Sequence, residues 1–315
     1  MKKVLVTEQI DPSGLALLRG AFEVIQGTGG AVAEEGADCS ALLLRTAKVT
    51  AATMDAMPKL QVIAKHGIGL DSIDVAAATA RGIAVVNAPF ANVNAVAEHT
   101  VALLLAVAKH LPLLDRATRQ GEFGRRDAYT SLELGGKTLG LVGLGRIARL
   151  VAQKLSGFGV ELVGCDPFVA ASDVADLHIQ LLPMEEVLRR ADFLSLHTPL
   201  TPETRHLIGA AQLAMMKPSA CLINASRGPV LDEAALCAAL KAGALAGAGL
   251  DVFEAEPPQA DNPLFALENL VVSPHNAALS DAALVAMAQD SAQGILDYFA
   301  GKRPEYLCNP AVFER

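Results

Sequence analysis

Twelve runs of three to five mostly apolar residues punctuate the 315-residue chain, and they are continuous rather than alternating. A strand with one wet face alternates polar with apolar; a strand covered on both faces does not. The runs therefore read as parallel strands buried between two layers of helix. Five lie in the first part: Val4–Thr7, Phe22–Ile25, Ala41–Leu44, Leu60–Ala64 and Ile83–Val86. Helical patterns such as Pro12–Arg19 and Asp74–Ala80 separate them. The pattern restarts at Thr138. Strands are expected at Thr138–Val142, Glu161–Cys165, Leu177–Gln180, Phe193–Leu196, Cys221–Asn224, Ala248–Asp251 and Leu270–Val272. Alternating strands and helices, twice over, predict an α/β fold of two doubly wound domains.

Two longer apolar helices bracket the second series. One runs from about Ala95 to Leu111, with Ala97, Val101, Leu104, Leu105, Ala108 and Leu111 on one face, and Pro112 ends or kinks it. The other runs from about Asp281 to Phe299, with Leu284, Val285, Ala288, Ala292, Ile295, Leu296 and Phe299 on one face. They read as the crossings between domains. This divides the chain into 1–98, 99–281 and a return at 282–315, with the middle segment inserted into the outer domain.

Composition narrows the function classes. With 52% hydrophobic residues the chain is too apolar for disorder. A net charge of −8 without a basic stripe argues against a nucleic-acid partner. The stretch Val101–Ala108 is the longest uncharged apolar one and is too short to span a membrane. Met1 opens directly into a strand with polar flanks, without the apolar core and cleavage site of a signal peptide. The five cysteines are odd in number and none makes a CxxC pair, a reduced, intracellular pattern. No histidine pair has metal-ligand spacing, so no metal is expected. These points together predict a cytoplasmic protein.

The segment "TLGLVGLGRIA" carries the first chemical signal. A strand runs into Gly143-x-Gly145-x-x-Ala148 and then a helix. Gly143 permits a tight turn, Gly145 lets a pyrophosphate approach the backbone, and Ala148 is small enough for close helix–strand packing. The anion would sit on the helix N-terminus formed by Arg146 and Ile147. Asp166 ends the next strand, about 20 residues on, where an acid accepts hydrogen bonds from ribose hydroxyls and disfavours a 2′-phosphate. The expected cofactor is NAD.

Catalytic groups belong at the carboxyl ends of the strands. Arg227 follows Cys221–Asn224, Glu256 lies in "LDVFEAEPP" after Ala248–Asp251, and His275 lies in "LVVSPHNAA" after Leu270–Val272. An Arg, a carboxylate and a His on three strand ends could converge beside the dinucleotide site, which points to a functional rather than a structural set. Gly228 is small enough to let its turn pass close to the cofactor.

The sequence resembles the D-isomer-specific 2-hydroxyacid dehydrogenases, of the phosphoglycerate dehydrogenase-like branch, over essentially its whole length. The matching segments are "HGIGLDSIDV", "NAVAEHTVALLLAVA", "GLVGLGRIA", "LHTPLTPETRHLI", "INASRGPVLDE", "DVFEAEPP" and "SPHNAA". The resemblance implies a Rossmann NAD-binding domain inserted into a flavodoxin-like substrate domain. It places the catalytic residues at Arg227, Glu256 and His275. Cofactor contacts fall on Gly143, Gly145, Arg146, Ile147, Asp166, His197, Thr198, Pro199, Thr204, Ala225, Ser226, Arg227, Asp251 and His275. The substrate loop falls on Lys65, His66, Gly67, Ile68 and Gly69, with Asn92 a further candidate. Ala148 stands where a third glycine is usual, and Ser72 where Asn is common.

The resemblance implies an NAD-dependent oxidoreductase that interconverts a small D-2-hydroxy acid and its 2-keto acid. Arg227 would hold the substrate carboxylate and polarise the carbonyl with its fork of donors. His275 would give the carbonyl oxygen its proton, with Glu256 orienting the ring and favouring its charged form. Arg45 ends "ALLLR" and Lys65 ends "LQVIAK". Two extra cations would suit a second anionic group on the substrate. His99 is expected to make an inter-domain hydrogen bond. The helix from Ala95 and the extension Pro112–Thr130 resemble the family's dimerisation arm and imply a homodimer. Two other readings stand beside this one. "LLLRTAKVTA" resembles 3-phosphoglycerate dehydrogenases, and a cofactor-sensing scaffold like the C-terminal-binding-protein corepressors would share the fold.

Overall fold

A computed structural model describes residues 1–314 and divides them into two compact units. Unit 1 comprises residues 1–93 together with the chain from Ala278 on; unit 2 is Asn94–Ala277.

Unit 1 is built on five parallel strands: β1 Lys3–Val6, β2 Glu23–Gln26, β3 Ala41–Leu44, β4 Val62–Lys65 and β5 Ala84–Val86. Their order is β2-β1-β3-β4-β5, the flavodoxin-like arrangement. Successive side chains go to opposite cores. Val4, Val6, Ala41 and Leu43 pack with Ala288, Ala292 and Ile295 of the helix Asp281–Phe299 on one face. Leu5, Leu42, Leu44 and Ile63 pack with Met54 and Met57 on the other. This is why the runs read as unbroken apolar stretches. Helix Asp281–Phe299 approaches helix Pro12–Arg19 so closely that a Cβ at Gly14 would lie 2.6 Å from the Ala288 carbonyl oxygen. Its buried face is made of small residues, Ala283, Ala288, Ser291, Ala292 and Gly294, while the expected face residue Val285 is exposed.

Unit 2 holds seven parallel strands: β6 Thr138–Val142, β7 Glu161–Cys165, β8 Gln180–Leu181, β9 Phe193–Leu196, β10 Cys221–Asn224, β11 Gly247–Leu250 and β12 Leu270–Val272. The order is β12-β11-β10-β9-β6-β7-β8, the Rossmann arrangement with one added strand. Direction reverses between β6 and β9, which puts the ligand crevice at their carboxyl ends. Helix Val93–Ala108 lies against β11, where Gly249 replaces a side chain whose Cβ would lie 3.2 Å from the Leu103 Cβ.

Two expected elements differ. The strand expected at Leu177–Gln180 is a 3₁₀ segment, Ala171–Leu177, followed by His178 in the left-handed region (φ 54°) and only then β8. Val174 and Leu177, three residues apart, both reach the core, which is the 3₁₀ repeat. The first long helix stops at Ala108. His110 takes a left-handed turn (φ 50°), and Pro112 sits in the first turn of a second helix, Leu111–Arg119. Among the described residues no single helix is long and apolar enough to cross a membrane, and no group of His, Cys, Asp or Glu could hold a metal ion.

Candidate active site

The dinucleotide cradle forms where β6 meets its helix. Gly143 has φ +85°, and a Cβ there would lie 2.8 Å from the His197 carbonyl oxygen, so the tight turn requires glycine. Gly145 differs: an added Cβ would meet nothing within 4 Å. The space above Gly145 is open, at the N-terminus of the ten-residue helix Arg146–Leu155. This fits a pyrophosphate. Ala148 is fully buried. The Asp166 carboxylate accepts from the Leu144 N–H at 2.8 Å on one oxygen and from the Phe168 N–H at 2.8 Å on the other. It thereby braces the glycine loop, and each oxygen retains capacity for a ribose hydroxyl.

Arg149 braces the loop from behind, donating to the Leu144 carbonyl (2.8 Å) and the Asp173 carbonyl (2.9 Å). Sequence reasoning passed over it. Its signal is a cation in the first turn of a helix, where the dipole disfavours one unless it has a partner.

Past β9, the His197 Nε2 meets the Ser195 hydroxyl at 2.8 Å, and burial pushes the His197 pKa down to about 4, so the ring is neutral near pH 7. The buried Thr198 hydroxyl has no hydrogen-bond partner, which suits a ligand group there. Pro199 and Thr204 close the next turn together, the Thr204 hydroxyl donating to the Pro199 carbonyl at 2.7 Å.

Arg227 stands on a turn that Asn224 builds. The Asn224 side chain accepts from the Ser226 N–H (3.0 Å) and hydroxyl (2.8 Å) and donates to the Arg227 carbonyl (3.0 Å). The Arg227 Nη1 donates to the Ser226 carbonyl at 2.7 Å. Asn224 is another residue that sequence reasoning missed; a buried Asn ending an apolar strand was the signal. Gly228 behaves differently from expectation. A Cβ on it would lie 1.9 Å from the Phe253 carbonyl oxygen, so its smallness serves packing against the segment that leads to Glu256.

The structure brings Glu256 and His275 together. The His275 Nδ1 lies 2.6 Å from the Glu256 Oε2, and the other carboxylate oxygen accepts from the Phe253 N–H at 3.0 Å. An ionised carboxylate only accepts, so Nδ1 carries the proton and Nε2 is left for a ligand. Burial alone would raise the Glu256 pKa. The His275 bond, the Phe253 N–H and the charge of Arg227 outweigh it and hold the carboxyl below its usual range. Glu256 therefore interacts with both of the other expected catalytic residues at one end of one sheet. Phe253, Pro257, Pro258, Phe265, Val272 and Pro274 wall an apolar groove of about 340 Å³ beside the pair.

Asp251, expected among the cofactor contacts, is fully buried and faces the protein. Its carboxylate accepts from the Ser273 hydroxyl (2.6 Å), the Asn276 N–H (3.0 Å) and the Ala277 N–H (2.9 Å). His99 reaches Ser273 at 2.8 Å. That bond lies inside unit 2.

In unit 1, the 65–69 turn is pinned by main-chain and side-chain bonds. Ala88 N–H donates to the Gly67 carbonyl (3.0 Å), the Asn87 amide to the Ile68 carbonyl (2.9 Å) and the Ser291 hydroxyl to the Lys65 carbonyl (2.9 Å). Gly67 has φ +136° and leads on to Gly69. Lys65 donates to the Arg45 carbonyl and to the Ser72 hydroxyl (3.1 Å). His66 is 3% exposed and neither ring nitrogen has a hydrogen-bond partner; the buried Asn92 amide oxygen also lacks one. Burial, reinforced by the Arg45 charge, pushes the His66 pKa down to about 4.

Comparison with known proteins identifies the family. Residues 101–277 match the family model "D-isomer specific 2-hydroxyacid dehydrogenase, NAD binding domain". The D-3-phosphoglycerate dehydrogenase of Mycobacterium bovis is 43% identical over 95% of this chain, and the chain spans 57% of that relative's length. The glyoxylate reductase of Korarchaeum cryptofilum is 40% identical, with 98% of this chain and 96% of that one covered. Among solved structures, an NADPH-dependent glyoxylate/hydroxypyruvate reductase from Sinorhizobium meliloti superposes with a TM-score of 0.88 at 32% identity, over 99% of both chains. The chain thus belongs to the D-isomer specific 2-hydroxyacid dehydrogenases.

Proposed function

We propose that this protein is an NAD-dependent reductase of a small 2-keto acid, giving the D-2-hydroxy acid, and that it also runs in reverse. The observation that carries the reading is the 2.6 Å His275–Glu256 contact on the same sheet edge as the Gly143–Ala148 cradle. When bound, NADH supplies the hydride. His275 holds a proton at Nε2 for the carbonyl oxygen, and Glu256 fixes the ring that delivers it. Arg227 grips the carboxylate and polarises the carbonyl. In unit 1 the backbone of Gly67, Ile68 and Gly69 is the candidate for carboxylate binding, and His66 and Asn92 carry the buried polar atoms that a substrate would satisfy.

Asp166 supports NAD over NADP, in contrast to the Sinorhizobium meliloti protein, whose name gives NADPH. The identity to D-3-phosphoglycerate dehydrogenases keeps that activity as a second reading. A cofactor-sensing scaffold is a third. Purified protein assayed for NADH oxidation with a panel of 2-keto acids separates them: turnover with none of the panel would sink both enzymatic readings.

We also infer a homodimer, on the exposed Leu111 and Phe123 (61% and 64%) beside a groove of about 330 Å³ lined by Leu113, Phe265 and Leu270. A closed twofold pair covers such a face, and light scattering at the mass of one chain would count against it. We infer a cytoplasmic protein: the five cysteines are free thiols, which suits a reducing compartment.

A further inference from the structure

Glu233 and Glu254 of unit 2 hold each other's main chain. The Glu254 carboxylate accepts from the Glu233 N–H at 2.8 Å, and the Glu233 carboxylate accepts from the Glu254 N–H. Two like charges this close repel, so the pairing adds little attraction of its own. What it does is fix one segment against another at two points. The surroundings accommodate both charges. Glu233 opens the helix Glu233–Lys241, whose N-terminal dipole favours an anion. Capping of that helix falls to Asp232, which accepts from the Ala235 N–H at 2.9 Å, so the Glu233 side chain is left to reach across. Glu254 faces the His206 Nε2 at 3.2 Å.

The peptide held in this way leads to Glu256. A trans peptide points its C=O and its N–H in opposite directions. The Phe253 carbonyl oxygen lies against Gly228, where a Cβ would come within 1.9 Å, and the Glu254 N–H points to Glu233. The chain from Gly228 to Glu233, which begins one residue past Arg227, thus cups the Phe253–Glu254 peptide from both sides. The Phe253 N–H closes the next turn on the Glu256 Oε1 at 3.0 Å, and the Glu256 Oε2 meets His275. Glu233 also accepts from the Asn262 amide at 3.2 Å. Asn262 starts the short 3₁₀ turn Pro263–Ala266 by accepting from the Leu264 N–H at 3.0 Å, and Phe265 on that turn meets Phe253 edge-on, with ring centres 5.7 Å apart. One carboxylate therefore ties the helix that follows Arg227 to both rings that wall the groove beside Glu256 and His275.

We propose that Glu233 is a positioning residue: with Gly228 it clasps the Phe253–Glu254 peptide and so fixes Glu256, and through Glu256 the His275 ring, relative to the Arg227 turn. The effect converges on the Glu256 carboxylate. Its charge is felt by His275 and Arg227, and the other titratable groups of the clasp are Glu233, Glu254 and His206. Loosening the clasp lets Glu256 drift from the Phe253 N–H and from His275 together. The catalytic half of this inference rests on the 2-keto acid reading above; the hold of Glu233 on Glu256 does not.

Two measurements on the full chain test it, each with Glu233→Ala, which removes the acceptor, and Glu233→Gln, which keeps an amide oxygen for the Glu254 N–H. The first is kinetic. Glu233→Ala lowers kcat for 2-keto acid reduction by about tenfold or more as the proton donor loses its place, while NADH affinity stays within about twofold. Glu233→Gln restores most of the loss. The second needs no turnover. The carboxyl ¹³C signal of Glu256, assigned by its absence in Glu256→Gln, titrates below the ordinary carboxylate range in the wild type and moves up toward that range in Glu233→Ala. A fall in melting temperature with Glu256 titrating as in the wild type would make Glu233 a structural tether alone and overturn the proposal. So would wild-type kcat in Glu233→Ala, or an equal loss in Glu233→Gln. If Glu233→Ala does not fold, Glu233→Asp, shorter by one methylene but still charged, takes its place with the same expectations. If the wild type turns over no 2-keto acid, the functional reading fails and the Glu256 titration alone decides the clasp.

Discussion

Asp251 grips the loop of His275 through the main chain. The His275 N–H donates to the Asp251 carbonyl at 2.7 Å, and the Asp251 carboxylate takes the next two N–H groups, of Asn276 and Ala277. His275 is thereby held in the left-handed region, at φ 51°, a conformation a non-glycine residue keeps only when its surroundings impose it. The ring then meets Glu256. Asp251 is a positioning residue, acting through the loop.

Asp251→Asn therefore removes an acceptor from one of two buried N–H groups. The loss of one such bond costs about 1–3 kcal/mol, or roughly 2–4 °C in melting temperature per kcal/mol for a chain of this size. We expect kcat to fall by about tenfold or more as the ring leaves its position, with NADH affinity little changed. Asp251→Asn with wild-type kcat would show that the loop needs no such clamp.

His275→Ala should lower kcat by about two to four orders of magnitude, the usual worth of general acid–base catalysis, with NADH binding preserved. Glu256→Gln should cost less, because a neutral amide still accepts from Nδ1. Its pH profile is the sharper readout. The lowered pKa of Glu256 keeps the wild-type carboxylate ionised until the pH falls below the ordinary carboxylate range, so the acid limb reporting loss of the charged pair should vanish in Glu256→Gln. An acid limb identical in both would remove Glu256 from the proton path.

Asp166 has two tasks, and its substitution should reveal both. The wild type should use NADH better than NADPH, and Asp166→Ala should narrow that preference by removing the repulsion of a 2′-phosphate. The same change releases the Leu144 N–H, so NADH affinity should also drop. Equal kcat/KM with the two cofactors in the wild type would contradict the assignment.

Much of this was legible because the information is local. The unbroken apolar runs give parallel strands, and Gly143, Gly145 and Asp166 lie within one strand–helix–strand unit. Arg227, Glu256 and His275 are visible as strand-end charges, and the family resemblance assigns their roles. What stays hidden is the far partner of each polar side chain. Glu8 sits in a bland "TEQ", and its donors come 37 to 39 residues later. His99 finds Ser273 across 174 residues. Asp251 was expected to face the cofactor and faces its own chain. Gly228 was expected to clear space for a ligand, yet the space it clears is filled by Phe253.

The Glu8 carboxyl is held down to about 2: burial works against this, but the hydrogen bonds from Thr46, Thr7 and the 45–46 backbone outweigh it. A depressed carboxylate contributes stability that is complete above its unfolded value, 4.5, and disappears as the pH falls toward 2. Glu8→Gln lacks this contribution at every pH. The gap in melting temperature between wild type and Glu8→Gln should therefore be widest near neutrality and close progressively below pH 4.5. A gap that is constant across that range would show that the carboxylate charge adds nothing to the fold.

Two glycines of unit 2 make opposite predictions from one substitution. At Gly228 a Cβ would lie 1.9 Å from the Phe253 oxygen, 2.0 Å from its carbonyl carbon and 2.6 Å from the Glu254 nitrogen. All three are main-chain atoms, so relief requires moving the segment that leads to Glu256. Overpacking of this kind costs about 1–3 kcal/mol or more, and Gly228→Ala should melt several degrees lower, by about 2–4 °C per kcal/mol. Because the displaced segment carries Glu256, kcat should fall with stability. At Gly145 an added Cβ meets no protein atom within 4 Å, and no left-handed φ stands in the way. Gly145→Ala should melt at the wild-type temperature. Its methyl group would instead enter the space assigned to the pyrophosphate, so NADH affinity should drop by about tenfold or more. Calorimetry and NADH titration on both variants read the contrast directly. A stable, fully active Gly228→Ala would break the link between the Arg227 turn and the Glu256 segment, and a Gly145→Ala chain that binds NADH normally would move the cofactor off this loop.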